Sequence, residues 1–121
     1  MPVARIAAAL LLSAALAGCA AQRCTNAVAQ RVPAPDGQYD AVVFQRDCGP
    51  ADGSSVAVAV LPHGADLPDL PTTVLALAQP VHVTATWTSP TRLRLSYPRS
   101  ATVVGRMPTS PDGVAVEFQP R

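Results

Sequence analysis

Beyond about residue 35, apolar and polar residues alternate with a period of two, and turn residues cut the alternation roughly every 8–15 positions. Successive side chains of a strand point to opposite faces, so this rhythm predicts β-structure. The 13 prolines act in the same direction, because a proline inside a helix removes a hydrogen bond and clashes with the preceding turn. With 49% hydrophobic residues the chain is too apolar for a disordered polymer.

The first predicted strand, Gln38–Arg46, follows Pro35-Asp36-Gly37, a tight-turn sequence. Its apolar residues fall on both parities, Ala41 and Val43 against Val42 and Phe44, which predicts a central strand buried on both faces. Ser55–Leu61 behaves likewise, with Val on one face and Ala on the other. Residues 62–71 (PHGADLPDLP) have no periodicity and read as an excursion over the surface. Thr72–Gln79 suits either a short strand or one or two helical turns, with Thr72, Thr73 and Val74 favouring strand. Val81–Trp87 and Arg92–Tyr97, joined by Thr88-Ser89-Pro90, form an expected hairpin with one apolar and one solvated face. Ala101–Met107 and Val114–Phe118 repeat the plan around a second Pro-Asp-Gly at 111–113. The expected fold is all-β: a small antiparallel β-sandwich or strongly curled meander of six or seven strands, preceded by an N-terminal signal helix.

That leading segment, MPVARIAAALLLSAALAGC, has one charge at Arg5 and an apolar run from Ile6 to Ala17. The run is too short to cross a hydrocarbon core of ~30 Å, and fits the apolar region of a signal peptide. It ends in Leu16-Ala17-Gly18-Cys19, which resembles a bacterial lipobox. The competing reading is soluble secretion after cleavage at Ala15-Leu16-Ala17. Cysteine parity separates the two, because the chain holds three, Cys19, Cys24 and Cys48. Lipidation consumes Cys19 and leaves an even pair for an oxidising compartment, whereas soluble secretion leaves one free thiol. Ala20, rather than an Asp, follows the lipobox cysteine, and in Gram-negative sorting the resemblance implies the outer membrane, where a periplasm-facing anchor is expected.

The expected organisation is therefore a signal over 1–18, a lipidated Cys and short tether over 19–35, and a β domain over 36–121. Only four residues separate Cys19 from Cys24, a reach of at most roughly 18 Å, so the domain is expected close to the headgroups. Cys24 and Cys48 are the natural disulfide pair, worth about 3 kcal/mol in the chain-entropy view. No CxxC spacing supports a redox role.

The run Pro35-Asp36-Gly37-x-Tyr39-x-Ala41-Val42-Val43-Phe44-x-Arg46-Asp47-Cys48-Gly49 resembles a segment of a family of small bacterial lipoproteins and exported proteins. The resemblance implies export, a disulfide and a compact β domain, with no established activity. The paired Pro-Asp-Gly segments also resemble the opening of β-propeller blade strands, but a blade takes about 40 residues and the chain is too short to close such a ring.

Nine basic residues, all Arg, face eight acidic ones, and loss of Arg5 with the signal leaves a neutral domain. A neutral domain lacks the cationic footprint of nucleic-acid binding. The absence of lysine removes Schiff-base and P-loop chemistry. No GxSxG, HExxH or GxGxxG pattern occurs, and two distant histidines, His63 and His82, do not make a metal pair. Asp36, Asp40, Asp47 and Asp52 lack the alternating ligands of a calcium loop; Asp36 is expected to cap its turn and Asp47 to anchor the disulfide loop. The candidate binding face gathers His82, Thr84, Thr86, Arg92 and Arg94, where paired arginines suit an anionic group. No cofactor, metal or catalytic residue is expected. The partners expected are the membrane, through the lipid anchor, and an envelope protein. The function expected is a non-enzymatic structural or interaction module, with a small ligand-binding or inhibitor-type domain as the alternative.

Overall fold

A computed structural model describes residues 24–121, so the expected signal helix and Cys19 lie outside the described residues. The described chain is all-β, with eight strands and no helix. These are β1 (Thr25–Pro33), β2 (Tyr39–Asp47), β3 (Ser54–Pro62), β4 (Leu75–Leu77), β5 (Thr84–Ser89), β6 (Arg92–Tyr97), β7 (Val103–Arg106) and β8 (Ala115–Pro120). They form a five-stranded sheet in the order β1-β2-β3-β4-β7 and a three-stranded sheet in the order β5-β6-β8.

β2 takes the interior place that its two-sided apolar pattern predicted, pairing with β1 on one side and with β3 from Tyr39↔Pro62 to Asp47↔Ser54 on the other. Its opening turn is built as the sequence suggests. Gly37 N–H donates to Ala34 O at 2.9 Å, Asp36 Oδ1 accepts from Gln38 N–H at 3.1 Å, and Gly37 sits at φ +72°. The same design recurs at Ser110-Pro111-Asp112-Gly113, where Gly113 N–H reaches Ser110 O at 3.0 Å and Gly113 has φ +89°. Both glycines occupy left-handed backbone that a side chain would strain.

The structure departs from the expected fold in three ways. Residues 25–33, read as tether, form β1, an edge strand of the larger sheet. Seven of its nine residues are exposed, so the strand shows no alternation by which to recognise it. The strands number eight rather than six or seven, and not all are antiparallel: β8 runs parallel to β6, with Arg92 opposite Ala115 and Tyr97 opposite Pro120. Parallel neighbours need a crossover, which β7 supplies by carrying the chain into the other sheet before it returns as β8. Thr72–Gln79 contains strand only at Leu75–Leu77, and β5 starts at Thr84 rather than Val81.

The two sheets face each other across one apolar cluster. Ala41, Val43, Val56, Val58, Leu75 and Leu77 enter it from the larger sheet, and Ala85, Leu93, Leu95, Tyr97 and Val116 from the smaller. The Val/Ala alternation of β3 has a clear purpose here. Val56, Val58 and Val60 fill the space between the sheets, while Ala57 and Ala59 lie on the outer face with Phe44. That outer face is itself covered, with Leu61, Leu67 and Ala76 packed against it. The proline-rich excursion therefore lies on the sheet and covers part of it. Trp87 adds a polar tie between the layers, its Nε1–H donating to Val32 O of β1 at 2.8 Å.

Candidate functional site

Cys24 and Cys48 form a disulfide. The β1–β2 register makes this a local consequence of pairing, since Thr25 lies opposite Asp47 and brings the two cysteines together at the open end of the ladder. Asp47 anchors the loop as expected, its Oδ1 accepting from Gly49 N–H at 3.0 Å.

The expected binding face is brought together only in part. Thr84 lies opposite Ser96 and Thr86 opposite Arg94, so Thr84, Thr86, Arg92 and Arg94 share the outer face of the three-stranded sheet. Arg94 Nε pairs with Glu117 Oε2 at 3.3 Å across the parallel β6–β8 ladder. That pairing neutralises one of the two guanidiniums, and Arg92 is left as the cation without an ion-pair partner among the described residues. His82 precedes β5 and lines a cavity with Gln30 and Gln45.

A second constellation escaped the sequence reading. Asp40 is fully buried on the outer face of the larger sheet, on the same side as Val42 and Phe44. Its carboxylate accepts from Arg31 Nη1 at 2.7 Å, from the His63 Nδ1–H at 2.7 Å and from Gly64 N–H at 3.0 Å. Burial alone raises this carboxyl, but the donors from Gly64, His63 and Arg31 outweigh it and hold Asp40 down at about 2, against an ordinary 3.8. Arg31 Nη2 also donates to Ala65 O at 2.6 Å. The group thus fastens the start of the 62–71 excursion to β1 and β2. The hint in the sequence is a carboxylate on an apolar parity of an interior strand, which requires a partner. Arg31 was hidden because its segment does not alternate.

An aspartate orienting a histidine is also the rear half of a catalytic relay. Here, among the described residues, no serine, threonine or cysteine hydrogen-bonds His63, whose Nδ1 is engaged by Asp40. Among the described residues no group of three or more His, Cys, Asp or Glu side chains is placed to hold a metal.

The cavity beside His82, about 360 Å³, opens on the inner face of the larger sheet, between β1–β3 and residues 80–83. Val43, Val56, Val81, Val83 and Pro80 give it aliphatic walls, and Gln30, Gln45 and His82 add polar groups. No family model matches the sequence, and neither a curated protein nor a solved structure shows significant similarity to it.

Proposed function

We propose that this protein is a non-enzymatic lipoprotein of the bacterial envelope, anchored through Cys19 at the periplasmic face of the outer membrane. It acts there as a structural or protein-interaction module, with its two facing sheets forming a small β-sandwich. The observation that carries this reading is the position of the disulfide. The Cys24–Cys48 bond fastens the chain to the end of β2 only five residues after the lipobox cysteine, which holds the folded domain at the membrane surface. The resemblance to small exported lipoproteins, the formal neutrality of the mature domain and the Asp40 cluster's service as a structural latch all agree with it.

Replacing Cys19 by alanine is expected to abolish acyl labelling and release the protein from membranes; unchanged fractionation refutes the anchor. Crosslinking in intact cells then identifies the envelope partner, with the Arg92→Ala/Arg94→Ala double variant as the control for the strand face. A second reading, a small ligand-binding domain, is favoured by the aliphatic cavity with polar groups at its edge.

A further inference from the structure

We infer that the cavity on the inner face of the larger sheet, beneath residues 80–83, is a binding site for a single acyl chain of a membrane lipid. The inference deepens the ligand-binding reading and names the ligand class. Its physical origin is the crossing of the chain from β4 to β5. Residues 80–83 bridge the two sheets without joining either ladder, and leave a gap against the inner face of β1 and β2. The Ala29 bulge lies at the same place, where the β1–β2 register shifts between Val28 and Gln30. A bulge bends its strand and breaks the ladder locally, which keeps the gap open.

The lining selects the ligand. Val43, Val56, Val81, Val83 and Pro80 offer aliphatic surface, with no Phe, Tyr or Trp on which a sugar would stack and no carboxylate or guanidinium to pair with a charged ligand. Gln30, Gln45 and His82 each present donors and acceptors, which suits the ester and hydroxyl oxygens of a glycerol backbone. At about 360 Å³ the cavity lies at the small end of ligand sites, which fits one chain and not two.

Position supplies the source. Trp87, hydrogen-bonded to Val32 O, stands on the half of the sheet that holds the Pro35–Gly37 turn, whereas Gln45 and its partner Val56 lie on the half that ends in the disulfide, with Val43 at mid-strand. Gln45 is three residues from Cys48, or roughly 10 Å along an extended strand. The cavity is therefore displaced toward the end of the domain from which the anchor emerges, within reach of the bilayer.

The test uses the exported Cys19→Ala chain, which carries no anchor of its own, with a lysophosphatidylcholine bearing a photoreactive diazirine on its acyl chain. Saturable labelling is expected on peptides containing Val43, Val56, Val81 or Val83. Val81→Asp, which puts a carboxylate among the aliphatic walls, is expected to lower labelling about tenfold or more. Gln30→Trp, an exposed position beside the opening, keeps the test valid if the first variant does not fold. Thr86→Asp, on the outer face of the smaller sheet, is expected to leave labelling unchanged. Circular dichroism and an intact disulfide check the fold of each variant. Absence of saturable labelling, or labelling undiminished in folded Val81→Asp and Gln30→Trp, overturns the site. Acylation of Cys19 in the wild-type chain is read separately by mass spectrometry, so failure of the anchor and failure of the cavity remain distinct.

Discussion

Asp40→Asn is the sharpest perturbation of this fold, because it keeps the shape of a buried side chain while removing its charge and one of its two acceptor oxygens. The folded carboxyl sits at about 2 against an ordinary 3.8, so the native state favours the ionised form. That difference corresponds to roughly 2.5 kcal/mol at neutral pH. Two of the three donors belong to side chains that are 31% and 58% exposed, Arg31 and His63. Solvent screening there reduces the figure to about 1–2 kcal/mol. The new amide also turns a donor toward groups that are themselves donors, and an unmade bond of this kind costs about 1 kcal/mol more. The expected loss for Asp40→Asn is therefore about 2–3 kcal/mol near neutral pH.

The pH dependence follows from the direction of the shift. A carboxyl lowered on folding contributes its stability in full above the unfolded value of 3.8 and loses it as pH falls through about 2. Urea denaturation of the disulfide-intact proteins should show a constant gap between wild type and Asp40→Asn above that window, narrowing within it. Hydrogen exchange should show the amides of Gly64 and Ala65 losing protection first in the variant. A neutral-pH gap below about 0.5 kcal/mol, or a gap that persists unchanged to the acid end of the window, refutes the latch.

Reduction of the Cys24–Cys48 bond, or Cys48→Ser, should lower stability by about 3 kcal/mol in the same urea assay; coincident midpoints would count against a structural staple. Leu95, fully buried between the sheets, should cost about 2–5 kcal/mol when cut to alanine, read from the thermal midpoint. Trp87→Phe keeps one aromatic ring but loses the pyrrole ring and its N–H bond to Val32 O, so a loss of at least about 1 kcal/mol and faster exchange of β1 amides are expected. Arg94→Ala should change stability by less than about 1 kcal/mol, because both it and Glu117 are exposed; a larger loss in denaturant melts would show that the pair organises the β6–β8 ladder.

The β class, the two Pro-Asp-Gly turns, the span of β6 and the interior place of β2 are all legible along the chain. Each is written in nearest-neighbour chemistry: a two-residue rhythm, a φ that only glycine adopts without strain, and apolar residues on both parities of one segment. Pairing of Cys24 with Cys48 was legible for a different reason: the expectation that Cys19 carries lipid leaves these two as the even pair.

Features that join residues far apart in the chain arise only when the strands pack. β1 becomes a strand because β2 offers it a ladder; its own largely exposed residues carry no burial pattern to announce it. β8 is parallel to β6 because β7 leaves for the other sheet, a choice that no local rhythm encodes. Asp40 meets Arg31 and His63 only after the β1–β2 and β2–β3 registers are set and the 62–71 excursion folds back over the outer face. The cavity is the gap left where residues 80–83 cross between the sheets. Local propensity selects backbone conformations one residue at a time, whereas partners, crossings and voids are properties of surfaces that exist only when distant strands pack.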